Sequence, residues 1–169
     1  EDADVVTLDK LRDKEDELFE DRVELYFSRD HQMEDYYCLE IDSRGRVLDY
    51  RGSYYRQLDM KWRCEGVKAA GATFDKGYTV EGRLPLTTFA LMGYHGGPQP
   101  GARILCGLYR AEFSHNRSGK PGEQRETIHN RGRKPNGPPP IEELISWIDP
   151  KTPEPYFHVP SSLGWLEYF

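Results

Sequence analysis

The sequence lacks several features that define common classes of proteins. Its three cysteines, Cys38, Cys64 and Cys106, are widely spaced and form no C-x-x-C pair. This excludes a zinc ribbon, a thioredoxin-like motif and c-type haem attachment, and it allows at most one disulfide. No run of 18 apolar residues occurs, so we expect no transmembrane helix. The net charge of −6 argues against general nucleic-acid binding, which requires a basic surface.

Catalytic signatures are missing as well. The sequence contains no nucleophile elbow, zinc-protease motif, phosphate-binding loop or dinucleotide-binding motif. The five histidines have no metal-ligand spacing. His158 is expected to hold a chain reversal by hydrogen bonds rather than to act as a general base, because no nucleophile accompanies it. We therefore predict that the protein is not an enzyme and needs no cofactor.

The pattern of apolar residues indicates strands. Aromatic residues make up 12% of the chain, which is typical of a folded protein. Apolar and polar residues alternate with a period of two in segments 23–27, 37–41, 46–50, 78–84, 104–109, 144–148 and 165–169. Helical propensity occurs only at 8–18 and 141–145, without a long apolar stripe. We expect an all-β fold, a two-sheet antiparallel β-sandwich, forming one domain over residues 1–169.

Two segments of opposite charge stand out, one at the start of the chain and one between the predicted strands 104–109 and 144–148. Residues 1–24 hold eleven acids against four bases, which indicates a solvated surface, a calcium site or a contact for a basic partner. Residues 115–140 are proline- and glycine-rich and predict a long irregular loop. This loop is either disordered in isolation or ordered on an acidic partner. Its candidate partner-binding residues are Arg117, Lys120, Arg125, Arg131, Arg133 and Lys134.

Five segments resemble, in the same order, the elements of a known family. They are residues 19–27, 36–45, 77–85, 145–150 and 157–166. The first is similar to a strand of the pattern W-x-x-D-x-V-E-hydrophobic, and the third to Y-x-V-E-x-x-I-P. Together they resemble the carbohydrate-binding module family 9-like domains, which are similar to DOMON-like β-sandwiches. The resemblance implies two antiparallel sheets, an extracytoplasmic location, no catalysis and, in the members that bind sugars, often a calcium ion.

The resemblance also implies a ligand site. Sugar-binding members clamp a saccharide between two tryptophans, which correspond here to Leu18, with Phe19 beside it, and to Phe157. Glu24 matches a polar sugar contact, whereas Cys38 stands at an arginine position. Further candidate stacking residues are Tyr54, Tyr55 and Trp62.

Two functions follow from these observations. The first is a saccharide-binding module outside the cytoplasm. The second is an accessory or scaffolding subunit of a larger extracytoplasmic assembly, such as a membrane-attached redox complex, which it contacts through the basic loop. Family domains usually begin with strands before the acidic segment at which this chain begins. We therefore expect an open sheet edge that a partner covers.

Overall fold

The computed structural model describes residues 5–7, 20–95, 99–114, 141–153 and 156–169. Within these ranges the chain forms nine strands and one α-helix. They are β1 (Arg22–Ser28), β2 (Tyr36–Asp42), β3 (Val47–Ser53), β4 (Gln57–Asp59), β5 (Lys68–Phe74), β6 (Gly77–Arg83), α1 (Leu86–Leu91), β7 (Arg103–Ser114), β8 (Ile141–Ser146) and β9 (Gly164–Glu167).

The strands form two antiparallel sheets. The larger sheet has seven strands in the order β4-β3-β2-β1-β7-β8, with β9 also paired to β7, and β5 pairs with β6 in the smaller sheet. The all-β, two-sheet antiparallel prediction is confirmed. Seven predicted strands correspond to β1, β2, β3, β6, β7, β8 and β9, although several boundaries shift by a few residues.

Alternation along the strands gives the larger sheet two different faces. In β1, Arg22, Glu24 and Tyr26 point to one face, which we call the polar face. Leu25 and Phe27 point to the other, the apolar face. The antiparallel register preserves this division, because Tyr26 lies opposite Cys38 and Leu25 lies opposite Leu39.

The apolar face is covered by α1 and the segment before it. Phe27, Met92, Ile104 and Cys106 are among its buried residues. The ring of Phe89 in α1 lies 5.3 Å from that of Phe27, edge to face. The helix has six residues, fewer than two turns, so it is too short to show a helical period in the sequence.

The polar face is covered by residues 156–163. Phe157 and Leu163 pack on the buried rings of Tyr26 and Tyr109. The Ser162 hydroxyl donates to the Phe157 carbonyl at 2.6 Å, and it also lies 2.6 Å from the Tyr109 hydroxyl. These bonds tie the covering segment to the centre of the sheet.

The β5–β6 hairpin packs against the turn between β2 and β3. Gly45 in that turn has φ = 80°, and a Cβ there would lie 2.6 Å from Ala70 Cα. Only glycine therefore fits this contact. Strand β5, with the sequence KAAGATF, has small and mostly exposed side chains, which explains why the apolar pattern does not predict it.

The described acids before and within β1 are buried instead of solvated. The Asp21 carboxylate accepts the backbone N–H groups of Val6 and Phe113, at 2.7 and 2.6 Å. Glu20 pairs with Arg46 at 2.8 Å, and Arg46 also bonds to Asp42. This part of the acidic segment therefore anchors residues 5–7 and the β2–β3 turn to the sheet.

Two further expectations meet the structure. Residues 141–145, which have helical propensity, form β8, because pairing with β7 in register outweighs a local preference. Cys38, Cys64 and Cys106 are buried free thiols.

Candidate functional site

A pocket of about 70 Å³ lies on the polar face. Strands β1, β2, β3 and β8 contribute side chains to it. Residues 56–60, in and around β4, and the covering segment, residues 156–163, complete the lining. The lining residues are Arg22, Glu24, Tyr26, Glu40, Tyr50, Arg56, Leu58, Met60, Leu144, Tyr156, Phe157 and His158.

An arginine shared by two carboxylates forms the floor of the pocket. Arg22 Nη2 lies 2.8 Å from Glu24 Oε1, and Arg22 Nε lies 2.7 Å from Glu40 Oε2. Each carboxylate also accepts a phenol: Tyr26 donates to Glu24 at 2.9 Å and Tyr50 to Glu40 at 2.6 Å. The three charged side chains are at most 4% exposed. Their charges are therefore compensated inside the protein, as buried ion pairs require.

The floor alters the ionisation of its groups. Burial, and then the neighbouring charge of Glu40, raise the pKa of Glu24 to about 7, although Arg22 and Tyr26 act in the opposite direction. Burial also raises the pKa of Tyr26 and of Tyr50 well above the ordinary value, so both phenols keep their hydrogens. A pKa of about 7 leaves Glu24 partly protonated near neutral pH.

His158 joins the covering segment to the sheet. Its Nε2 lies 3.0 Å from the Tyr26 hydroxyl, and its Nδ1 lies 3.0 Å from the Tyr36 hydroxyl. Because Tyr26 donates its hydrogen to Glu24, it accepts a hydrogen from Nε2. In the neutral ring Nδ1 then accepts from Tyr36. These bonds agree with the structural role that the sequence predicts for His158.

Close packing positions Tyr36 for this bond. A Cβ on Gly52, the residue opposite Tyr36 in β3, would lie 2.3 Å from the Tyr36 ring. A glycine at this position therefore leaves the space that the ring occupies.

Apolar side chains form the wall of the pocket. Leu58, Met60 and Leu144 contribute aliphatic groups, and Phe157 contributes a ring. The Phe157 ring stacks on Tyr109 with centroids 4.2 Å apart and is 5% exposed. Phe157 is therefore part of a packed wall and not an exposed platform.

Tyr156 and Arg56 of the lining form a small cluster with Tyr55, which lies beside the pocket. The rings of Tyr55 and Tyr156 are nearly parallel, with an interplanar angle of 19° and centroids 5.7 Å apart, and we call this pair the tyrosine shelf. Tyr55 is 54% exposed. Arg56 Nη1 donates to the Tyr156 hydroxyl at 3.0 Å, with the guanidinium 5.6 Å from that ring's centroid.

The structure brings together some of the residues that the sequence predicts as ligand-binding. Glu24 and Phe157 line the pocket, Tyr55 belongs to the shelf, and the Tyr54 ring lies 5.4 Å from Tyr55. Trp62 packs on Tyr37 at the apolar face, so the structure does not bring it to the pocket. Outside the described residues lie Leu18, Phe19, Arg117, Lys120, Arg125, Arg131, Arg133 and Lys134.

Sequence reasoning missed several lining residues. The alternation of β1 could have predicted Arg22, because it places Arg22 on the same face as Glu24 and Tyr26. The alternation of β2 could have predicted Glu40 in the same way. Arg56 and Tyr156 carry no such signal, because they lie outside the longer strands and meet only in the folded chain.

The described ranges contain no candidate for a metal-ligand cluster or for a membrane-spanning helix. Among these residues, no three His, Cys, Asp or Glu side chains are grouped to hold a metal ion. The same part of the chain contains no helix with the length and apolar character needed to cross a membrane.

The fold and the pocket define a class of protein: an all-β domain with a pocket of polar and aromatic residues on one sheet face. The family model described as carbohydrate family 9 binding domain-like matches residues 3–152. The chain therefore belongs to the carbohydrate family 9 binding domain-like family, as the five segments indicate. No curated protein and no solved structure matches the chain.

Proposed function

We propose that the protein is a non-catalytic saccharide-binding module that works outside the cytoplasm. Family membership supports each part of this proposal, because such domains are generally non-catalytic binding modules and typically extracellular or secreted. The observation that carries it is the pocket itself, where hydrogen-bonding groups stand beside an aromatic shelf.

The chemistry of the pocket suits a sugar. Saccharide hydroxyls donate and accept hydrogen bonds, and Glu24, Glu40 and the tyrosine hydroxyls offer both kinds of partner. The C–H face of a sugar ring is apolar and packs on aromatic rings, which the tyrosine shelf provides. A few placed polar groups beside apolar surface are typical of small-molecule sites.

The size of the pocket limits how much of the ligand enters it. About 70 Å³ is well below the roughly 300–1,000 Å³ of pockets that enclose drug-sized ligands. We therefore infer that one edge of a sugar enters the pocket and that the rest of the ring lies on the shelf. Tyr55, with half of its surface exposed, then contributes more stacking surface than Phe157.

The paired carboxylates support binding over hydrolysis. Glycoside hydrolysis uses one carboxyl group as an acid and a second as a nucleophile or base. Glu24 and Glu40 instead share the Arg22 guanidinium, and each accepts a tyrosine hydroxyl. These bonds hold both carboxylates in fixed positions, and each carboxylate keeps lone pairs that can accept a further hydrogen bond.

Binding to a glycan array, followed by calorimetric titration of the best ligand, tests the proposal. We expect Tyr55→Ala to weaken binding about tenfold or more, because a lost aromatic contact is worth about 0.5–1.5 kcal/mol beyond its buried area. Tyr168→Ala is the matched control, since Tyr168 is also half exposed, at 47%, and does not line the pocket. The absence of saccharide binding by the folded protein, or equal effects of both variants, would contradict the proposal.

A second candidate, an accessory subunit of a larger extracytoplasmic assembly, is favoured by an apolar patch on the sheet. Leu108, Ile145 and Trp147 are 44%, 47% and 41% exposed, and all three lie on the apolar face. Exposed apolar patches often mark interaction sites. The native mass of the protein purified gently from its source tests this candidate. A stable assembly that Ile145→Glu dissociates would support it, and a free monomer would contradict it.

A further inference from the structure

The charge of the pocket differs from that of the whole chain. The chain carries a net charge of −6, whereas the pocket lining holds two guanidinium groups, Arg22 and Arg56, and two carboxyl groups, Glu24 and Glu40. Because the pKa of Glu24 is raised to about 7, this group is about half protonated at neutral pH. The charges of these four groups therefore sum to a slightly positive value, although the chain as a whole is acidic.

The two guanidinium groups occupy different positions. Arg22 lies on the floor and contacts both carboxylates, at 2.8 and 2.7 Å. Arg56 lies in the turn between β3 and β4 and contacts Tyr156 of the shelf. Arg56 thus places a guanidinium group against Tyr156 of the shelf.

A guanidinium in this setting favours an anionic ligand. Its planar donors match a carboxylate or a sulfate in a way that a neutral hydroxyl does not. Tyr156 restrains the side chain, so less conformational freedom is lost when an anion binds. Partial burial also lowers the effective dielectric constant around the charge, which strengthens its attraction for an anion.

We propose that the ligand of this pocket is an acidic saccharide, and that Arg56 is the specificity-determining residue that binds its anionic group. The inference rests on the proposed saccharide-binding function. The sugar ring packs on the tyrosine shelf, its hydroxyls reach the floor, and a ring carboxylate or sulfate ester bonds to Arg56. A uronic acid and a sulfated sugar share this anionic chemistry, and the experiment separates them.

The test compares acidic sugars with the neutral sugar of the same ring. Calorimetric titration of the whole chain near pH 7 uses glucose, glucuronate and glucose 6-sulfate as probes. We expect at least one acidic probe to bind about tenfold more tightly than glucose, in line with a charge-assisted hydrogen bond. High salt should reduce this advantage, because Arg56 is only partly buried. The probe with the greater advantage identifies the anionic group.

Arg56→Gln tests the assigned residue. It should bring the affinity for the acidic probe down to that for glucose and leave the affinity for glucose within about twofold of wild type. Arg83→Gln is the matched control, since it removes the same charge from an exposed position outside the pocket lining. Unchanged circular dichroism and melting temperature establish that both variants fold.

The outcomes separate this inference from the proposed function. If glucose and both acidic probes bind equally, or if Arg56→Gln keeps the acidic preference, the inference is wrong and the saccharide-binding function stands. If no saccharide binds the folded protein, both are wrong. An acidic preference that disappears in Arg56→Gln and persists in Arg83→Gln supports both.

Discussion

Raising the pH from about 5 to about 8 removes a proton from a carboxyl group buried at the floor of the pocket. An unfolded chain releases this proton near the ordinary pKa of 4.5, whereas burial and the charge of Glu40 hold it on folded Glu24 up to about pH 7. Between these two values the folded state binds more protons than the unfolded state. The free energy of unfolding therefore falls as the pH rises through this window.

The pKa difference sets the size of the effect. One pKa unit corresponds to about 1.36 kcal/mol, so the shift of Glu24 amounts to about 3 kcal/mol. Below the unfolded pKa both states are protonated and Glu24 contributes no pH dependence. Above the folded pKa both states are ionised and the full loss has occurred. A loss of this size is a large fraction of the stability of an ordinary domain.

Urea unfolding at a series of pH values measures this contribution. Other groups also titrate, so the quantity of interest is the difference in free energy between wild type and Glu24→Gln, which has no ionisable group at this position. We expect this difference to shift against the wild type by about 2.5 kcal/mol between about pH 5 and pH 8, and the remainder is lost below pH 5. Glu81→Gln, an exposed control in β6, should keep the wild-type pH dependence.

A direct titration completes the test. The side-chain carboxyl carbon of Glu24, followed by NMR, should change its chemical shift with a midpoint near pH 7. Two results together would refute the raised pKa of Glu24. They are parallel curves of unfolding free energy against pH for wild type and Glu24→Gln, and an NMR midpoint near pH 4.5.

Three other predictions concern the supports of the fold. Gly52→Ala should destabilise the protein by about 1–3 kcal/mol in urea unfolding, because its methyl group overlaps the Tyr36 ring; an unchanged midpoint would show that the ring moves freely. Asp21→Ala should cost about 2–5 kcal/mol, since two buried backbone N–H groups lose their acceptor, whereas an effect under about 1 kcal/mol would contradict this role. Thiol reagents should modify the native protein slowly, because burial raises the pKa of Cys38, Cys64 and Cys106. In the urea-unfolded protein the same reagents should modify all three cysteines. Rapid labelling of the native protein would contradict the burial of the thiols.

The larger sheet was predictable because its strands carry strict alternation. In β1, charged and aromatic residues alternate with aliphatic ones, so the period alone identifies a strand with two unlike faces. Strands β4 and β5 and helix α1 were not predictable from the pattern. β4 has only three residues, β5 has small exposed side chains, and α1 is shorter than two full turns.

The candidate site divides in the same way. Glu24 and Phe157 followed from the family resemblance, and the alternation of β1 and β2 places Glu24 and Glu40 on one face. The sequence did not show that both carboxylates share Arg22, because that contact depends on the register between β1 and β2. Nor did it show that Phe157 stacks on Tyr109. Because of this contact, Phe157 is a packed wall of the pocket and not one side of an exposed sugar clamp.

The sequence by itself determined an all-β chain of this family, with one polar and one apolar face on its principal strands, because period and residue type are local properties. Only the tertiary structure decided that Arg56 and Tyr156, a hundred residues apart along the chain, meet at 3.0 Å beside the pocket. It also decided that the described acids of the N-terminal segment are buried anchors. Both outcomes depend on which distant segments pack together, and local sequence carries little information about that choice.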